Sequence, residues 1–163
     1  MHYPILICTL IKCYLKHSDY TKIEYWHDKA LTIKKDLRHD FLSMIHIMYV
    51  LSLYEQCEVL PNLVTIEVTE NFKNELQTLK HFFRGNIKDI PFEKLIVKHI
   101  IDLSGSRRCD EHKKIFEHFL KSLEQLPRKG FVYQDQFYQI FDLRVWIFQQ
   151  IKRVQEGKKK TAV

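Results

Sequence analysis

Apolar residues recur along this chain at helical spacing. Ile7, Leu10, Ile11 and Tyr14 fall at i, i+3, i+4 and i+7, which predicts a helix from about residue 5 to 16 with one apolar stripe. The polar run "HSDY" at 17–20 interrupts it, and Ser18 or Asp19 can accept from the free N–H groups of a second helix carrying Ile23, Trp26, His27 and Ala30. A third helix is expected over about 36–55; between Phe41 and Tyr54 it is apolar on nearly every side, a pattern that calls for burial from several directions. The segment "VTIEVT" at 64–69 alternates like a strand. However, Leu60, Val64, Val68, Phe72, Leu76, Leu79 and Phe83 continue one stripe in steps of four or three, so a long helix is expected, with Pro61 in its first turn and Gly85 just past its end. Asp89 and Pro91 open a fifth helix holding Phe92, Leu95, Ile96, His99, Ile100 and Leu103, and "SGS" closes it. Asp110 caps a sixth with Ile115, Phe116, Phe119, Leu120 and Leu123, ended by Pro127 and Gly130, and a seventh is expected from about Tyr133 to Val154 with Phe137, Phe141, Trp146 and Phe148.

The fold class is therefore all-α, about seven helices. Short links pair the first helix with the second, the third with the fourth and the fifth with the sixth, as antiparallel hairpins closed by the seventh. Hairpins that recur every few tens of residues are the pattern of a helical solenoid. A single domain is expected over 1–155, with a basic flexible tail at 156–163.

The run Leu10, Tyr14, "SDYTKIEYW", Ala30 and Leu31 resembles a tetratricopeptide repeat. In that pattern tyrosines wedge between the two helices and a small alanine lets the next hairpin approach. Ile11 and Ile23 stand where the family prefers small residues, Ser18 replaces its turn glycine, His27 sits at an aromatic position, and no proline ends the unit. From "FLSMIHIMYVLSLYEQ" to "FDLRVWIFQQI" the chain is also similar to the C-terminal region of uncharacterised bacterial proteins built from degenerate tetratricopeptide-like helices. Their closing helix carries a Phe-Asp-x-x-x-Trp motif, matched here by Phe141, Asp142 and Trp146. The resemblance implies an α-α superhelix with a scaffolding role and no catalytic residue. The first helix is apolar with no polar capping helix before it, whereas solenoid ends need a polar outer face. A longer parent solenoid, or self-association through the first hairpin, is the expectation.

Composition narrows the function classes. With 163 residues, 45% hydrophobic and 28% charged, the chain can bury a core of its own, and four Gly and four Pro leave little punctuation for a many-stranded fold. The net charge of +6 makes an anionic partner conceivable, but part of it lies in Lys152, Arg153, Lys158, Lys159 and Lys160 near the end. Cysteines at 8, 13, 57 and 109 form no C-x-x-C pair and no disulfide ladder, which suits reduced thiols in a cytoplasmic protein. The opening "MHYPILICTLIKCYL" lacks the basic leader and cleavage site of a signal peptide, and no stretch approaches the ~20 apolar residues of a bilayer span, so no membrane association is expected.

Candidate chemistry is sparse. Cys109 and His112, with His118 further along, supply one metal-ligand pair where a structural zinc site draws two, and Arg107 and Arg108 oppose a cation. Asp36 with His39, and the "HSDY" run, bring His and Asp together, yet both fit ordinary helix starts. His27, His46 and His99 lie on or beside apolar stripes, as core histidines do. No nucleophile motif or phosphate loop is present. The expectation is a non-catalytic scaffold without metal or other cofactor, binding a protein or peptide partner in a groove between hairpins. Lys12, Lys16, Lys94 and Lys98, off the apolar stripes, would make that groove basic and suited to acidic peptides. The alternative is association with nucleic acid through the lysine tail, Arg107–Arg108 and Arg128–Lys129.

Overall fold

The first apolar stripe is buried as Ile7, Cys8, Ile11 and Leu15 in α1 (Tyr3–Lys16), while Leu10 and Tyr14 stay half-buried. The stripe is rotated from the expected one because α1 packs against two helices, α2 (Tyr20–Thr32) and α3 (His39–Val59). The computed structural model describes the backbone of residues 3–59, 66–86, 91–106, 109–126 and 139–161, and the side chains of all of these except 58–59, 66–67, 84–86, 91, 109–110 and 157–161. Among the described residues there are seven helices and no strand. The chain divides into two compact units, Met1–Asn86 and Ile87–Val163, where the sequence suggested one domain over 1–155.

In the first unit, "HSDY" is a helix stop and a helix start in one. Ser18 N–H donates to the Leu15 carbonyl (3.2 Å) and Asp19 N–H to the Tyr14 carbonyl (3.0 Å), with Ser18 left-handed at φ 56°. These are the two bonds of a Schellman stop, which satisfies carbonyls that the end of α1 would otherwise leave open. Asp19 then caps α2, its Oδ1 accepting from Lys22 N–H at 3.4 Å. Ile23, His27 and Ala30 form the buried face of α2.

The third helix fills the centre of this unit. Every residue from Ser43 to Glu55 is buried, as its all-round apolarity requires, because α3 packs against α1, α2 and α4 (Ile66–Asn86). Each fully buried Ile, Leu or Met there contributes roughly 1.5–3 kcal/mol from water exclusion. It begins at His39 rather than Asp36, since residues 33–36 form turns in which Asp36 N–H donates to the Ile33 carbonyl (2.9 Å) and Leu37 N–H, just beyond them, to that of Lys34 (3.4 Å). The strand-like 66–69 is helical, and Phe72, Leu76, Leu79 and Phe83 form the buried stripe of α4. Gly85 lies inside the last turn of α4 rather than beyond it; Leu60, Pro61 and Val64 lie outside the described residues.

The second unit holds α5 (Pro91–Gly105), α6 (Cys109–Glu124) and α7 (Leu143–Thr161), with α6 packed against both neighbours. Phe92, Ile96, Ile100 and Leu103 of α5 meet Phe116, Phe119 and Leu123 of α6 in its core, and Phe116 sits edge-on to Trp146 of α7 at 5.8 Å. The seventh helix departs from the sequence expectation. Gln139 and Ile140 are helical, Phe141 and Asp142 are not, and α7 starts at Leu143. Asp142 causes the restart: its Oδ1 accepts from Arg144 N–H (3.0 Å), and the paired Arg144 guanidinium holds its carboxyl below the usual range. An acceptor there competes with continued helix and favours a cap. The α7 backbone continues through Thr161, past residue 155 where the sequence analysis ended the domain. Phe148, grouped with the large residues of this helix, is exposed.

Candidate functional site

Four lysines were singled out as groove contacts. Lys12 and Lys16 stand one turn apart on α1, and Lys94 and Lys98 one turn apart on α5; all four are exposed. Among the described residues none of them meets a carboxylate. Each pair is a short positive strip on its own unit.

Polar chemistry is concentrated instead at buried histidines. His27 on α2 and His46 on α3 face each other, with His27 Nε2 3.2 Å from His46 Nδ1. Helical packing fixes both rings, since His27 stacks on Tyr49 with centroids 4.0 Å apart and His46 lies against Phe82 at 5.6 Å. Glu75 on α4 brings Oε2 to 3.5 Å from the same His46 Nδ1, and Asp28 Oδ1 is 3.5 Å from His27 Nδ1. Three successive helices thus each deliver one polar side chain to a single point in the first unit. Burial, followed by the neighbouring His46, pushes the His27 imidazole down to about 4. Burial also opposes charge on Glu75, but the nearby His46 imidazole, 3.5 Å away, and His27 prevail and hold the carboxyl below its ordinary value. Among the described residues only this trio gathers three His, Cys, Asp or Glu donors, with one atom of each within 4.8 Å of the others.

A second pair lies in the other unit. His99 Nδ1–H donates to the Leu95 carbonyl (2.9 Å), which leaves Nε2 as an acceptor and requires His118 Nδ1–H to donate across the 3.0 Å gap. His99 stacks on Phe119 at 4.3 Å, and burial lowers its pKa. This pair is closed: each facing nitrogen has one partner of the right kind.

The groups expected to carry chemistry are dispersed. His112 Nε2–H donates to the Ser106 carbonyl (3.1 Å) and His118 is engaged with His99, so the described members of the Cys109 group do not converge; the Cys109 side chain lies outside the described residues. His39 stacks on Phe82 at 4.2 Å, while Asp36 is exposed in the preceding turn. In "HSDY", His17 is exposed and Tyr20 O–H donates to Glu55 Oε2 at 3.3 Å, joining α2 to α3. Arg107, Arg108, Arg128 and Lys129 lie outside the described residues. Sequence reasoning placed His27 and His46 in the core and missed that they meet; the recurring separation of 19 residues in both pairs was the available signal. Glu75 had no signal at all.

No helix among the described residues is long and apolar enough to cross a membrane. No protein-family model, curated protein or solved structure matches the chain.

Proposed function

We propose that this chain is a non-catalytic, tetratricopeptide-like helical scaffold of the cytoplasm that binds an acidic protein or peptide segment. The observation that carries the reading is the pair of exposed lysine strips, Lys12 with Lys16 and Lys94 with Lys98, on helices whose opposite faces are locked into a core. Rigid helices present such charges without the entropy that a mobile loop would lose on binding. The packing order supports the repeat architecture: α3 touches both α1 and α2 and then α4, the neighbour-to-neighbour scheme of stacked hairpins. The short link of residues 17–19 and the packing of α1 on α2 are compatible with a helical hairpin.

The test is fluorescence anisotropy with a labelled glutamate-rich peptide at low and physiological salt, comparing the chain with a variant carrying Lys12→Glu, Lys16→Glu, Lys94→Glu and Lys98→Glu. Charge reversal should weaken binding at least tenfold. Equal binding by a folded variant would refute the reading. A labelled single-stranded oligonucleotide runs in parallel: if it alone binds, with a steep loss on adding salt, the basic surface serves nucleic acid instead.

A further inference from the structure

We propose that His27, His46 and Glu75 form a binding site for one divalent transition-metal ion of the zinc type, in the middle of the first unit. It goes beyond the scaffold reading and departs from the sequence expectation of a metal-free protein. The spacing of the donors carries it. A tetrahedral ion with bonds of about 2.0–2.1 Å places its ligand atoms about 3.3 Å from one another. His27 Nε2 and His46 Nδ1 are 3.2 Å apart, and His46 Nδ1 and Glu75 Oε2 are 3.5 Å apart.

Protons alone do not serve these atoms well. His46 Nδ1 faces both His27 Nε2 and Glu75 Oε2, but it holds a single proton or a single lone pair. Glu75 Oε2 and His27 Nδ1 are both buried without a hydrogen-bond partner, a costly condition for a polar atom. One cation resolves the conflict, since all three facing atoms can then point lone pairs at it. His27, bound through Nε2, would carry its proton on Nδ1, directed at Asp28 Oδ1 3.5 Å away. That is the carboxylate–histidine–metal arrangement in which an outer carboxylate orients a ligand imidazole. Tyr49 and Phe82 already hold the two rings in place.

Two imidazoles and a carboxylate suit zinc and its neighbours rather than magnesium or calcium, which prefer all-oxygen shells. Three protein ligands leave a fourth position for water or another donor. The ion would tie α2, α3 and α4 together.

The experiment uses the full chain, stripped with chelator and titrated with zinc sulfate against a fluorescent zinc indicator, with thermal melting read in parallel. The expected result is one zinc per chain, with a rise in Tm on loading. Glu75→Gln keeps the side-chain shape at a half-buried position and should weaken zinc at least tenfold and abolish the Tm rise. His99→Gln, in the closed pair of the other unit, should change neither. His27→Ala is read only if circular dichroism shows it folded. Unchanged zinc affinity in Glu75→Gln, loss of binding on alkylating the cysteines, or no stoichiometric zinc in the folded chain would each overturn the proposal.

Discussion

Glu93 offers a sharp test of how dry the second unit is. It sits in the first turn of α5, 3% exposed, where burial pushes its carboxyl up to about 7 against the opposing pull of its own backbone N–H. The same group in the unfolded chain titrates near 4.5. Between those values the native state holds the proton that the unfolded state releases, so stability falls as pH rises. The Glu93 contribution is complete below about pH 4.5, declines through about 7 and is level above. At about 1.36 kcal/mol per pH unit, the loss amounts to about 3 kcal/mol, an upper figure if the first turn of α5 admits water. Glu93→Gln mimics the protonated acid at every pH. Urea unfolding, followed by Trp146 fluorescence in a Trp26→Phe background so that only the second unit reports, gives the difference between variant and parent. The two should agree within about 0.5 kcal/mol at pH 4, and the glutamine variant should lead by at least 1 kcal/mol at pH 8. A difference that stays flat with pH would show that Glu93 titrates as a solvated carboxyl, and the reasoning would be wrong.

Three further outcomes follow from particular contacts. Ser18→Gly should stabilise the first unit by about 1 kcal/mol in urea unfolding, because Ser18 holds φ 56° where glycine pays no steric penalty; a loss of stability would mean the hydroxyl matters more than the backbone. Phe116→Ala should cost about 3–5 kcal/mol, since Phe116 is fully buried and joins α6 to Trp146 of α7, and a cost under 1 kcal/mol would deny that core. Native alkylation with iodoacetamide at pH 8, read by mass spectrometry, should modify exposed Cys13 and spare Cys8, whose thiol burial raises to about 12; equal labelling would show that α1 detaches readily.

The turn at 17–20 shows how far local pattern reaches. Asp19 as cap, the helix restart at Tyr20 and the buried Ala30 were all legible, because capping and helical periodicity depend on residues within a turn or two of each other. The left-handed backbone of Ser18 was not legible, because serine adopts that conformation rarely and no local spacing marks it. The interruption at Phe141–Asp142 was missed because the apolar stripe runs through it, and periodicity does not register a single side chain that captures a backbone N–H.

By itself, then, the sequence determined the all-helical character, the buried stripe of α4 from Phe72 to Phe83 and the central place of α3, since these follow from spacing along one chain. Only the tertiary structure decided which polar residues meet. His27, His46 and Glu75 are spread over three helices, and a rotation of any of them by one residue, about 100°, would carry its side chain out of the cluster. The packing of side chains from all three helices sets that rotation. No spacing within one helix encodes it, so the point where two imidazoles and a carboxylate converge exists only once α2, α3 and α4 are packed.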